Sequence, residues 1–402
     1  MPSKVESHFE EYREQTRVKH DILSKYLGAY FSIRAKADHP NLVYIDAFAG
    51  CGEYQSTSGP QPGSPLRALA RFSELKAEVR GRITSIFVEE DSGYHSQLAA
   101  SVANFDPTSR GLRQPLVLHG TFDECVDRIL TDLESRGQRM APSFLFADPC
   151  GVAGLTFQTL ARFLRDGNGE LFLFFNYDAV KRIAGLEHKP GGALSLLLGS
   201  DDAALSLRAS LNALPVDQKE AYIMSVYQTL IDAAVVGTYS TSFRIEYEHK
   251  RLTSHYFIHL TRNELGFRIM KEVMWPLGRT AEGDGGLEFE QASLAGGQLL
   301  FRPRWDDVRN GILAELSVNG GRLSARYFYE TLSCRKQNVL CRQAYKAALL
   351  ELERQGLVVV FGKDGQATTA SGRKKHKGQP TLGEDCIIRI ADGGRGAQHR
   401  DI

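Results

Sequence analysis

From about His8 to Ala37, the apolar side chains Ile22, Leu23, Tyr26, Leu27, Tyr30 and Phe31 recur at helical spacing, which predicts a helix with one dry face. Asn41 opens a different pattern. Leu42, Val43, Tyr44 and Ile45 form a short continuous apolar run, as a strand covered on both faces requires, and it ends at Asp46 in the glycine-bearing stretch AFAGCGEY. The same run-then-turn signature returns at Ile86 to Val88 before Glu89, Glu90 and Asp91, and at Leu116 to Leu118. It recurs at Phe144 to Ala147 before Asp148 and Pro149, and at Leu171 to Phe175 before Asn176. Stretches of helical character lie between the runs, at 94–102, 123–136 and 157–165. Five buried strands alternating with helices predict an α/β fold with a doubly wound, Rossmann-like, mostly parallel sheet. Residues 186–236 read as a helical insertion. Segments 241–247 and 255–261 alternate as strands do and are expected to close the sheet as an antiparallel edge.

A polar, glycine-rich stretch from Gly278 to Gly286 is the best linker, so residues 1–285 and 300–393 are expected to form separate domains. Past it, 305–316, 327–332 and 342–355 read as helices, Gly356 is placed to cap the third, and 357–361 reads as a strand paired with 386–390. Three helices and a two-stranded wing predict a winged helix-turn-helix. Charge sharpens this division. The whole chain of 402 residues has a net charge of +1, which points to no partner, yet residues 321–402 carry 15 Lys and Arg against 8 Asp and Glu. A basic module is attached to an acidic body. The apolar runs are too short to span a bilayer, the first forty residues lack a signal-peptide core, and six scattered cysteines fit a reducing, cytoplasmic setting. Cys334 and Cys341, the only close pair, do not match a zinc spacing, so no metal is expected.

In an open α/β sheet, ligands bind at the carboxyl ends of the strands. Asp46, Phe48, Gly50 and Gly52 occupy that place on the first strand, and DAFAGCG has neither the G-x-G-x-x-G spacing nor the Lys of a phosphate-binding loop. An acid without a phosphate cradle suits a sulfonium ligand better than a pyrophosphate. Glu89 ends the second strand where a ribose-binding acid belongs, though Glu89, Glu90 and Asp91 also read as caps of the next helix, a role that suits Asp91 best. Phe122 and Asp123 follow the third strand, where an adenine would meet a ring or a polar edge. Asp123 reads equally well as a helix N-cap. Asp148, stiffened by Pro149, is placed to accept a hydrogen bond from an acceptor amine or hydroxyl and aim its lone pair, and Asn176 is placed to line the same mouth. The D-P-P-Y motif of amino-methyltransferases matches here only in its first two residues, because Cys150 and Gly151 break it.

Six ordered blocks together resemble the three-Cys-motif partner family, the TcmP proteins: KHDILSKYL, YIDAFAGCGEY, GSPLRAL, FVEED, FADPCG and YFIHLTRNELGFRIMKEVMW. The resemblance implies a class I S-adenosylmethionine-dependent methyltransferase fold, S-adenosylmethionine as cofactor, and a neighbouring three-Cys-motif protein as a possible partner. Cys51 stands where that family tends to have proline and Cys150 where it tends to have an aromatic residue. In the last block, His259 reads as a buried, satisfied histidine, while Arg262 faces the cleft or caps a helix. Arg373, Lys374, Lys375 and Lys377 lie between the wing strands, where such loops contact phosphates. The expectation is therefore a methyltransferase acting on nucleic acid. The alternatives are a binding protein that keeps the fold without the chemistry, and a methyltransferase of protein or small molecules.

Overall fold

The five apolar runs form five parallel strands: β1 (Leu42–Asp46), β2 (Ile83–Glu89), β3 (Leu116–His119), β4 (Ser143–Ala147) and β5 (Gly169–Phe175). Two longer strands, β6 (Tyr239–Glu246) and β7 (Thr253–Thr261), extend the sheet. The order is β6-β7-β5-β4-β1-β2-β3. β7 runs antiparallel to both of its neighbours, with Phe174 opposite Phe257 and Phe243 opposite Phe257. This order departs from the 3-2-1-4-5-6 dinucleotide-binding sheet by the antiparallel strand inserted beside β5. The computed structural model describes the chain apart from residues 1–13, 38, 55–58, 150, 153, 166–167, 188, 247–252, 276–277, 280–299, 302–304, 336–337, 339, 377–378 and 392–402. The chain divides into two units that part at Met270, within the helix Glu264–Met274. The expected linker lies almost wholly outside the described residues.

Every residue of β1, β4 and β5 is buried, which is why these strands read as continuous apolar runs instead of alternating ones. One face carries Val43, Ile45, Leu145, Leu171 and Leu173, packed with Phe163, Leu164, Tyr227 and Ile231 from helices 157–165 and 216–234. The helical insertion supplies three helices on this face, Ala193–Leu198, Asp201–Ala213 and Val216–Ala234. The first helix, α1 (Glu14–Arg34), covers the other face, where Tyr26 and Tyr30 both pack on the Phe144 ring and Phe31 packs edge-on to Phe72. Each such fully buried aromatic side chain contributes about 1.5–3 kcal/mol.

In the second unit, the helices Trp305–Val318 and Arg342–Arg354 and a π-helical turn at Tyr327–Leu332 surround Ile312, Leu316, Phe328, Tyr329, Leu349 and Leu352. The middle segment, expected as an ordinary helix, takes this wider coil. Strand Val358–Phe361 pairs antiparallel with Ile387–Ile390, within a small sheet that also holds 322–324 and 367–368. Gly356 ends the helix at φ +72°, a left-handed conformation that favours glycine, and Leu357 N–H reaches back to the carbonyl of Leu352.

Candidate active site at the strand ends

Strand register brings five side chains into one row. Asp46 pairs with Phe87 on one side and Phe146 on the other, Phe146 pairs with Phe172, and Phe174 pairs with Phe257. Side chains alternate faces along a strand, so Glu89, Asp46, Asp148, Phe174 and His255 point to the same face at the carboxyl edge, the face that α1 covers. The row is polar at both ends and in the middle, above a floor of buried rings.

Asp46 is fully buried. The Phe48 N–H donates to it at 3.4 Å, the Tyr44 hydroxyl at 3.5 Å, and the Ser64 hydroxyl also donates. Burial nevertheless pushes its carboxyl up to about 7, and the Asp148 charge adds to the rise. None of these partners is a cation. The loop beyond it turns on Gly50 and Gly52, at φ +64° and +88°. A Cβ at Gly52 would lie 3.1 Å from Leu98 and 3.2 Å from Ser101, so this position needs glycine for space as well as for conformation. Glu89 ties the loop down. One of its oxygens accepts the Gly50 N–H and the other the Asp91 N–H, each at 2.8 Å, while burial raises its carboxyl. Asp91 is the N-cap of the next helix, accepting the Tyr94 N–H at 2.8 Å.

On the other side of Asp46, the Lys19 ammonium from α1 lies 2.6 Å from Asp148 and 4.1 Å from the centre of the Phe174 ring. His255 stacks on the opposite strand's Phe174 with ring centroids 4.2 Å apart, and burial and the Lys19 charge bring its imidazole down to about 3. His20, next to Lys19 in α1, is also held well below its ordinary value, by burial and then by the Arg67 and Lys19 charges. In the next layer of the same face, Glu170 accepts from Tyr26 at 2.5 Å and lies 3.2 Å from His259 Nε2. His259 is buried as expected but satisfied only at Nε2, because its Nδ1 has no hydrogen-bond partner among the described residues. Of its two expected roles Arg262 takes helix capping, donating at 3.2 Å to the carbonyl of Arg165, the last residue of helix Phe157–Arg165.

Phe122 and Asp123 are placed differently from expectation, and Asn176 stands at the strand end with a capping role. Phe122 is buried in the core against Phe48, with ring centroids 6.1 Å apart, and offers no open face to an adenine. Asp123 is not the N-cap, because Thr121 and Glu124 form a capping box, and its carboxylate accepts the Thr156 hydroxyl at 2.7 Å. Asn176 uses its side-chain oxygen to cap the next helix, accepting the Ala179 N–H at 2.9 Å. Pro149 is buried beside Asp148, and Cys150 lies outside the described residues.

The chain is similar to several solved structures. Protein LPL1258 from Legionella pneumophila is similar at 10% identity over 63% of this chain and 89% of its own, with a TM-score of 0.37. An O-methyltransferase from Bacillus cereus, in complex with SAH, is similar at 10% identity over 60% of this chain and 80% of its own, with a TM-score of 0.31. The O-methyltransferase TomG from Streptomyces achromogenes, in complex with SAM, is similar at 12% identity over 60% of this chain and 79% of its own, with a TM-score of 0.32. No family model matches the chain, and no curated protein matches it in sequence. The fold assignment rests on strand order and register.

The basic run of the second unit is also rearranged. Arg373, expected to contact phosphate, turns inward: its side chain is 7% exposed and its guanidinium pairs with Glu353. Lys374 and Lys375 are exposed, and Lys377 lies outside the described residues. Other bases are already matched, Arg342 with Glu384, Lys363 with Asp385 and Arg335 with Glu315. Among the described residues no cluster of His, Cys, Asp and Glu is arranged to hold a metal ion, and no helix is long and apolar enough to cross a membrane.

Proposed function

We propose that the first unit is an S-adenosylmethionine-dependent methyltransferase with a class I, Rossmann-like sheet and an amine or hydroxyl acceptor. The observation that carries this reading is Asp46, a carboxyl buried at the end of β1 with only neutral donors around it. A buried carboxylate is costly until a positive group meets it, so the site is incomplete without a cation. A sulfonium ligand that also carries an ammonium fits that need. Asp46, Gly50 and Gly52 would hold its charged part, and Glu89 its ribose hydroxyls in exchange for the Gly50 N–H. When bound, this cofactor supplies an electrophilic methyl group.

The chain's own residues supply alignment. Asp148 accepts a hydrogen bond from the acceptor and holds its lone pair in line, Pro149 stiffens the backbone, and the aromatic floor excludes water. Calorimetry with S-adenosylmethionine tests the reading. Heat is expected from the wild type and none from Asp46→Ala. Asp46 must ionise to meet a cation, so affinity falls by roughly tenfold per unit as pH drops below about 7. No heat from the wild type leaves a binding protein without the chemistry, the main alternative.

A second reading concerns the C-terminal unit, which we propose is a winged helix-turn-helix of the three-Cys-motif partner type that docks nucleic acid in a cytoplasmic setting. Its support is the succession of helix, turn, helix and antiparallel ribbon, with Lys374 and Lys375 exposed beside the ribbon.

A further inference from the structure

We propose that Lys19 is a methylation site of this chain, modified by its own active site. The proposal rests on the methyltransferase reading, in which Asp148 grips the acceptor. In this structure the side chain that Asp148 grips is Lys19, at 2.6 Å. Three independent features make the position an acceptor site as well as an ion pair. The nitrogen lies over the Phe174 ring at 4.1 Å, a surface that holds an alkylammonium and its methylated forms alike. His255 stacks on the same ring and stays neutral, so no second cation competes for Asp148 there. Asp46 and Asp148 are close enough for the charge of one to act on the other, so the proposed donor and acceptor carboxyls share one mouth.

The reaction balances within the site. An ammonium proton leaves Lys19 along its hydrogen bond to Asp148, whose side chain is 20% exposed and passes the proton to water. The freed lone pair forms the N–C bond as the C–S bond of the S-adenosylmethionine sulfonium breaks. The electron pair of that bond remains on sulfur, giving a thioether, and the nitrogen, with its two remaining protons and the new methyl group, carries the positive charge. Lys19 is 13% exposed, so the contact is intramolecular and the rate per molecule is independent of protein concentration.

The test uses the full chain. After incubation with methyl-tritiated S-adenosylmethionine, peptide mapping is expected to place the label on Lys19. Lys19→Arg should abolish it, and Asp148→Asn should slow it by roughly a hundredfold while leaving the calorimetric heat of cofactor binding in place. Two readouts need no turnover. Protein isolated from cells should carry extra methylene mass on the Lys19 peptide, and a double-mutant cycle of Lys19→Met with Asp148→Asn in the cofactor-free chain should show coupling. Cofactor heat with an unlabelled Lys19, label confined to other residues, or zero coupling overturns the proposal. Absence of cofactor heat overturns the methyltransferase reading first, and this one with it.

Discussion

The strand-end row and the C-terminal unit treat charge in opposite ways. In the row and the helix over it, Asp46 and Glu89 are raised by burial, and His255 and the α1 residue His20 are lowered by it, so all four are pushed toward neutrality. In the C-terminal unit, ion-pairing hydrogen bonds act the other way. Arg335 holds Glu315 below the usual carboxylate range, Arg354 does the same for Glu351, and Lys363 and Arg326 do so for Asp385. Those pairs are largely solvated and add little to stability. The difference shows where the fold accepts an energetic cost, which is at the end of the sheet where a ligand can repay it.

The largest expected effect lies where the C-terminal unit buries a charge completely. Lys271 is fully buried, and its ammonium donates to the carbonyls of Ser333, to Asn338 at 3.1 Å and to Leu340 at 3.2 Å. Lys271→Met keeps the aliphatic stem and leaves these carbonyls dry. A loss of about 3–5 kcal/mol is expected, read as a lower urea midpoint at unchanged slope. A shift near zero would show that this unit does not depend on matched charge, and the comparison would fail.

What the sequence made legible follows the same contrast. Leu42–Asp46 and Leu171–Phe175 announce themselves because strands buried on both faces must be apolar throughout, and the run-ending Asp46 and Glu89 stand where the turn begins. Lys19, Phe174 and His255 were hidden as site residues, because only strand register and the placement of α1 bring residues so distant in sequence together. Lys19 does head the KHDILSKYL block, the one available signal. Asp123 was ambiguous for a local reason: Thr121, Asp123 and Glu124 all have capping chemistry, and only geometry selects Thr121 with Glu124. Arg373 read as a phosphate contact because sequence does not reveal that Glu353, twenty residues earlier, faces it across the fold.

Asp46 gives the next effect in size, and its sign is opposite to that of an ion-paired carboxylate. Its folded value, about 7, lies above the ordinary 3.8, so the folded state holds the proton more tightly. The contribution to stability is therefore fully present below about pH 4, falls as pH rises toward 7, and is lost above it. Over that window the change is at most about 4 kcal/mol. Asp46→Asn should remove this dependence, making the protein more stable than wild type at pH 8 while abolishing cofactor heat. Stability gained with binding lost is the signature of a functional group held at a cost. Equal urea midpoints for the two proteins from pH 5 to 8 would deny that Asp46 is strained.

The smallest expected effect concerns Lys374 and Lys375, the exposed remnant of the basic run. Neither has a described partner that its loss would strand, so the double change to Ser should alter stability by no more than about 0.5 kcal/mol. Binding discriminates where stability does not. If both ammonium groups lie against phosphates, the slope of log affinity against log salt for a nucleic-acid duplex should fall by about two units in the double variant. Arg373→Met provides the internal control. It breaks the inward pair with Glu353, so it should lower stability while leaving that salt slope unchanged. A salt slope that follows Arg373 and ignores the two lysines would mean that the inward pair opens on binding. A slope that ignores all three would remove the nucleic-acid reading of this loop and leave the unit's matched charges as a purely structural feature.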